Sequence, residues 1–447
     1  MNFWLHERFK KFNTKPALVG PWGEFSYADL ANLTEKIENE FRSLAGSTPT
    51  TIGLVGDCCP ASVAWLIASE RLQHWIVPMM DHAQETAEKL NQIHAQWVVI
   101  ADGATWKIYP RAAAGKLELD NTHSLPASHP GLVLFSSGTS GRPKAMLQDL
   151  SNLLSTYESR HENSLIILCL LGFDHIGGIN TLLGGLAAGS LIVIPESRAP
   201  DQVVAVIKKY HVAILPATPT FLNLLLLAAS DRLTDLASLR LITYGTEPMP
   251  EALLARLRQV LPSVRLIQTF GTTETGILKT ESPDGDSNFL KINDPNVEWK
   301  IVNDELWLKT HTQIRGYLNA SNEKFTDDGW FMTGDKVEIG PNNTLRILGR
   351  SGEMINVGGQ KLMPTEVESV ILSVPGVVDC RVFGEKNAMV GQTVAVDVVA
   401  TVGQDWETLR ALIRQTCRQA LSTYKVPTRL NLVSAISTNR LKKQRTN

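Results

Sequence analysis

Short apolar runs recur through the first 245 residues: TIGLVG (51–56), IVPMM (76–80), WVVIA (97–101), GLVLFS (131–136), SLIILCLL (164–171), SLIVIP (190–195), VAILPA (212–217) and LRLITYG (239–245). They carry many β-branched residues and little polar alternation, and helix-like stretches separate them. This pattern predicts parallel sheets covered by helices on both faces. One helix start is legible in FSYADL, where Ser26 would cap the N-terminus and Asp29 would answer from the third helical position. Beyond about residue 284 the texture changes. Trp299, Trp307, Tyr317 and Trp330 sit among turn-rich segments such as SPDGDSN and TDDGW, which predicts short antiparallel strands. From residue 350, PTEVESVILSV, VDCRVFG, TVAVDVVA and WETLRALIRQTCRQAL predict helix, strand, strand and helix. The expected class is α/β. A large domain over 1–349, with parallel-rich sheets and a small β subdomain, would precede a small mobile α+β domain over 350–447. A short hinge at Gly349-Arg350-Ser351-Gly352 would join them.

Composition narrows the partners more than the fold. A chain of 447 residues exceeds one ordinary core. Its net charge of -2 gives no general attraction for nucleic acid or an anionic membrane, so neither is an expected partner. Cys58, Cys59, Cys169, Cys380 and Cys417 form no CxxC pair, which suits a reducing, cytoplasmic setting. No run of 18 apolar residues and no secretory pattern at the N-terminus is visible, so no membrane span is expected.

Candidate chemistry begins at FSSGTSGRPKAM (135–146), between the apolar run GLVLF and QDLSNLLSTY (148–157), which reads as a helix. Glycines let several backbone N–H groups line a concave nest, and hydroxyls add donors, so phosphate is the natural guest. The spacing departs from GxxxxGK[ST], because Pro143 precedes Lys144 and no Ser or Thr follows it. An ordinary P-loop ATPase is disfavoured.

The motif SSGTSGRPK resembles the [ST]SGT[ST]GxPK loop of the adenylate-forming superfamily of acyl-CoA synthetases, nonribosomal-peptide adenylation domains and luciferases. Further segments follow in the superfamily's order: TFGTTE (269–274), GWFMTGD (329–335), GRSGEMINVGGQKLMPTEVE (349–368) and ISTNRLKKQR (436–445). The resemblance implies ATP-dependent activation of a carboxylic acid to an acyl-adenylate, then transfer to a thiol. Coenzyme A is the expected acceptor, with a small aryl or medium acyl acid as the other substrate. Loading of a separate carrier protein, amide formation with an amine, and a non-catalytic acyl-nucleotide binder remain alternatives.

Roles follow from the same resemblance. Ser136, Ser137, Gly138, Thr139, Ser140, Gly141 and Lys144 would hold the β- and γ-phosphates of ATP. Gly245, Thr246 and Glu247 would meet adenine, Phe270 would stack on its other face, and Gly271 and Thr272 would complete that wall. Thr273 would donate to the α-phosphate. Glu274 would bind Mg²⁺, an ion that takes oxygen ligands and bridges phosphates. Asp335 would accept the ribose hydroxyls, with Arg350 at the same sugar. His175 would position the carboxylate, in an acyl pocket with Gly177, Gly178, Tyr244 and Thr269. Lys442, three residues before Arg445, is the expected catalytic lysine; Lys443 competes, and Leu441 stands where the superfamily has glycine. Asn356, Gly358 and Gly359 would line the thiol tunnel after the small domain rotates.

Overall fold

The computed structural model describes residues 3–46, 48–80, 83–111, 129–136, 143–283, 288–314, 316–439 and 441–443. Two mostly parallel sheets build the first part of the chain. One has six strands, in spatial order Thr105–Pro110, Trp97–Asp102, Thr51–Val55, Trp75–Met79, Gly131–Ser136 and Lys144–Asp149. Its four central strands run parallel and both edges are antiparallel. The other has seven: Arg265–Gln268, Leu241–Tyr244, Ile214–Ala217, Ile166–Leu168, Leu191–Val193, Pro16–Gly20 and Gly23–Ser26. All but the last pairing are parallel.

The helix Tyr27–Ala45 starts at the expected capping box, with Ser26 and Asp29 bonding reciprocally. The helix Pro60–Leu72 packs against it, buried along most of its length because it lies between that helix and the six-stranded sheet. All five cysteines are free thiols and buried.

One expectation needs correction around the Ser/Gly loop. Lys144–Asp149 is a strand antiparallel to Gly131–Ser136, and only then does Asp149 cap a short helix, Leu150–Ser155. Gln148 and Asp149 were expected to begin that helix, as the first residues of QDLSNLLSTY. Burial of the four residues Ala145 to Gln148 favours the extended form instead, because it fills an edge of the sheet core.

A third sheet of six antiparallel strands, Thr280–Glu281, Phe289–Ile292, Leu345–Arg350, Phe331–Ile339, Glu305–Thr310 and Val297–Val302, matches the expected change of texture. The last sheet contains Gln360–Leu362, Ile355–Val357, Gly391–Ala400 and Val377–Asn387, with Arg429–Leu432 parallel to Gly391–Ala400. Helices Pro364–Leu372 and Trp406–Ala420 cover it through Val367, Ile371, Leu409, Ile413 and Cys417, making a separate apolar core. Pro364 occupies the first helical position and Asp405 caps the second helix, both ordinary start signals. A two-residue hairpin, Thr438–Asn439 with Lys442–Lys443, then returns to the second sheet's helices.

Candidate active site

A cleft opens where the C-terminal ends of the strands Leu241–Tyr244 and Arg265–Gln268 meet the third sheet. The turn after Tyr244 forms one wall. A Cβ on Gly245 would stand 2.6 Å from the carbonyl oxygen of Thr269, so only glycine lets the two backbones approach. Thr246 follows at φ 74°, a left-handed conformation that costs a β-branched residue energy and marks a constrained turn. Phe270 forms another wall. Its ring rests on a core of Leu278, Leu290, Leu306, Leu308, Val337 and Leu345, so a rigid apolar surface backs the cleft.

Asp335 and Arg350 come from adjacent antiparallel strands and face each other in register. Arg350 Nε lies 2.8 Å from Asp335 Oδ1, and its Nη1 donates to the Thr333 carbonyl at 2.8 Å. Asp335 is only 5% exposed; burial pushes its pKa up, and Arg350 opposes that. Glu274 is close enough to Arg350 for its charge to raise the Arg350 pKa. The Tyr317 hydroxyl donates to Glu274 Oε1 at 2.8 Å, and the Lys144 ammonium lies 4.6 Å from the centre of the Tyr317 ring. Burial and then the Glu274 charge push the Tyr317 pKa well up, so the hydroxyl keeps its proton. Thr273 is tied in through its carbonyl, which accepts from Gln148 Nε2 at 2.7 Å.

The terminal hairpin brings both candidate lysines to this cleft. They are separable. Lys443 Nζ sits 2.7 Å from Asp379 Oδ1 and 2.7 Å from the Cys380 carbonyl oxygen. Burial lowers its pKa, but the Glu368 and Asp379 charges outweigh burial and hold the ammonium firmly protonated. Alternation along the strand then sends Lys442 to the opposite face. The Thr218 hydroxyl donates to the Leu441 carbonyl, and Lys443 N–H donates to Glu247 Oε2 at 3.4 Å, tying the hairpin to the large domain.

An AMP-binding enzyme model matches residues 5–318, and an AMP-binding enzyme C-terminal domain model matches residues 366–443. The chain belongs to the AMP-binding enzyme family. Its relatives are acyl- and aryl-CoA ligases. A 2-succinylbenzoate–CoA ligase of Bacillus licheniformis is 30% identical over 69% of this chain and 67% of its own. For the namesake of Enterococcus faecalis the figures are 29%, 67% and 64%, so this alignment spans somewhat under two thirds of that relative. An anthranilate CoA ligase in complex with anthranoyl-AMP shares the fold at a TM-score of 0.84, with 20% identity, over 99% of this chain and 95% of that one. The o-succinylbenzoate CoA synthetase of Bacillus subtilis does so at 0.77, with 21% identity, over 98% and 96%.

Measured against this family's reaction, the expected residues divide into groups. Gly245, Thr246, Glu247, Thr269, Phe270, Gly271, Asp335, Arg350 and Lys442 line one cleft. Ser137, Gly138, Thr139, Ser140 and Gly141 lie outside the described residues. Ser136 and Lys144 pair across the base of that loop. Thr272 is buried behind the cleft, where its hydroxyl bonds that of Thr275 at 3.1 Å.

The expected acyl pocket fares differently. His175 Nδ1 accepts from Gly177 N at 3.1 Å and caps the helix Ile176–Ala187. A Cβ on Gly178 would collide with the Gly172 carbonyl, so this glycine serves close backbone packing. Tyr244 is 2% exposed and belongs to the second sheet's core. None of these four lines the described cleft. Asn356, Gly358 and Gly359 form a hairpin turn on the small domain, away from the cleft; both glycines have positive φ, and Gly359 N–H donates to Asn356 Oδ1 at 3.0 Å. Gly352 sits in a one-turn 3-10 segment with open space around it and without a positive φ.

Sequence reasoning missed Tyr317 as the support of Glu274, Thr218 as a contact of the terminal hairpin, and Lys324 beside Arg350. Tyr317 stood out only as an aromatic in a turn-rich stretch. Lys324 lies just before TDDGW, a segment notable in the sequence only for its turn residues.

Proposed function

We propose that this chain activates a small carboxylic acid with ATP and passes the acyl group to the thiol of coenzyme A. A carboxylate oxygen attacks the α-phosphorus, forming the acyl-adenylate and releasing pyrophosphate. The thiol sulfur then attacks the acyl carbon, expelling AMP and losing its proton to solvent. One observation carries the reading: Lys442 of the small domain lines the same cleft as Phe270, Asp335 and Arg350 of the large one. That is where a cation is needed to offset charge spreading between carboxylate and α-phosphate.

Asp335 would accept from the ribose hydroxyls, its geometry fixed by Arg350. Phe270 would cover adenine, and the Gly245–Glu247 turn would meet its edge. Lys144 would attract the outer phosphates. Glu274 fits an Mg²⁺ ligand, because Tyr317 engages one carboxylate oxygen and fixes the group's orientation while the second remains an acceptor. Mg²⁺ held there would draw charge from the phosphate oxygens. The names of the relatives favour an aromatic acid. The absence, among the described residues, of any helix long and apolar enough to cross a membrane is compatible with a cytoplasmic setting.

The test is acyl-hydroxamate formation from aryl, short, medium and long acids with ATP, Mg²⁺ and hydroxylamine. A signal with aryl acids, converted to thioester when coenzyme A replaces hydroxylamine, is the expected result. A hydroxamate signal that coenzyme A leaves unchanged would move the acceptor to a carrier protein or an amine. No pyrophosphate release with any acid would sink the reading.

A further inference from the structure

We propose that Lys324 is a further ligand for the polyphosphate end of the nucleotide. This rests on the nucleotide reading of the cleft given above.

The segment carrying Lys324 is held on both sides. Asn322 Oδ1 accepts from Tyr317 N–H at 2.6 Å, and the Phe325 ring packs 5.6 Å from Tyr317 and 5.0 Å from Phe331. The Lys324 carbonyl accepts from Met332 N–H at 2.8 Å, which sets the residue beside the strand Phe331–Ile339. Its ammonium ends 3.6 Å from the point where a Cβ on Gly334 would stand, and Arg350 Nη1 lies 3.9 Å from the same point. Both cations therefore stand within ordinary contact distance of that one point, and the backbone at Gly334 has φ 77°. On the far side Tyr317 joins Glu274 and Lys144 to the group.

Lys144, Lys324 and Arg350 thus share one region with Glu274 and Asp335. Both carboxylates already have partners: Asp335 pairs with Arg350, and Glu274 accepts from Tyr317. Among the described residues, no side chain or carbonyl pairs with the Lys324 ammonium. Burial first, then Arg350, pulls its pKa below the ordinary lysine value, and Lys144 adds to this against Glu274 and Asp335. Half-burying a cation beside two others weakens the free protein unless an anion joins them. A carboxylic acid brings one charge and AMP a single phosphate. The β- and γ-phosphates bring several, beside the lysine that ends the Ser/Gly-rich loop.

Lys324→Met separates this role from a structural one. The expected result is a rise of about tenfold or more in the KM for ATP, the scale of one lost hydrogen bond to a charged group, with little change in the KM for the acid. Inhibition by pyrophosphate should weaken in parallel. Without ligand the variant should melt no lower than the parent. Its ATP-induced rise in Tm should shrink while the AMP-induced rise persists. Lys324→Arg should restore part of the ATP affinity. An unchanged KM for ATP with unchanged pyrophosphate inhibition would overturn the assignment. So would a lower melting temperature that Lys324→Arg repairs without recovering ATP affinity. Both outcomes leave the parent's acid-dependent pyrophosphate release intact, so they are distinct from failure of the underlying reading.

Discussion

Lys443 places its ammonium 2.7 Å from Asp379 Oδ1, both side chains 6% exposed, so the last strand of the described chain is anchored by a buried ion pair inside the small domain. Both lysines line the cleft, and strand alternation sends Lys442 to the face opposite that ion pair. The two lysines should fail differently. Lys442→Ala is expected to slow acid-dependent pyrophosphate release about 10²- to 10³-fold, the scale of losing one preorganised charge-stabilising group. Thioester formation from a supplied acyl-adenylate should fall far less. Lys443→Met leaves Asp379 and Glu368 buried without their cation and should cost about 3–5 kcal/mol of stability. Urea titration and the two half-reactions measure both variants; equal losses in the half-reactions for Lys442→Ala would remove it from the adenylation step.

Leu441 supplies a second test of how that hairpin works. It adopts φ 63° while its side chain packs against the second sheet's core. The left-handed conformation costs roughly 1–2 kcal/mol for an ordinary L-residue. Leu441→Gly removes that strain and also the packing, so stability should change by less than about 1 kcal/mol and adenylation should persist. Leu441→Val adds β-branching at the same φ and should slow adenylation. A glycine variant slower than the valine variant would show that packing, not backbone conformation, sets the hairpin.

What was legible in the sequence follows how local each feature is. Asp335 and Arg350 occupy motif segments whose strands pair in register, so motif and geometry agree. The spacing to Arg445 already points to Lys442, whereas what holds Lys443, the charges of Asp379 and Glu368, is distant in sequence and outside any local pattern. His175 follows from its place in the resemblance, whereas the cap that its Nδ1 gives to the Gly177 N–H is a local contact that the motif does not contain. Gln148 and Asp149 read as the start of the helix QDLSNLLSTY, but they end the strand Lys144–Asp149, whose pairing with Gly131–Ser136 no local pattern shows. Lys324 was invisible, since its importance comes from Gly334 and Arg350 on neighbouring strands.

Glu274 and Tyr317 allow the metal role to be separated from simple packing. Glu274→Gln keeps an oxygen for the Tyr317 hydroxyl but removes the negative charge. The Mg²⁺ concentration for half-maximal pyrophosphate release should rise about tenfold or more, as expected for loss of a charged interaction. Tyr317→Phe leaves the charge and should shift that midpoint less. An unchanged Mg²⁺ midpoint in Glu274→Gln would take this carboxylate out of the metal site.

Two buried groups far from the cleft oppose each other in the pH dependence of stability. Burial pushes the Glu70 carboxyl up to about 7, with Arg71 resisting, and pulls the His74 imidazole down to about 4. They are 8% and 1% exposed. Because the folded pKa of Glu70 exceeds its unfolded value, its contribution is full below about pH 4.5 and is lost as pH rises through 7. His74 has the reverse sign: its contribution is full above about pH 6.5 and is lost as pH falls through 4. Each is worth roughly 3 kcal/mol, at about 1.4 kcal/mol per pKa unit. In the parent protein the two slopes cancel across this window. Glu70→Gln should therefore expose acid destabilisation between about pH 6.5 and 4, and His74→Gln should expose loss of stability between about pH 4.5 and 7. Urea unfolding across that range measures both. Parallel curves for the parent and both variants would mean that neither group titrates differently on folding.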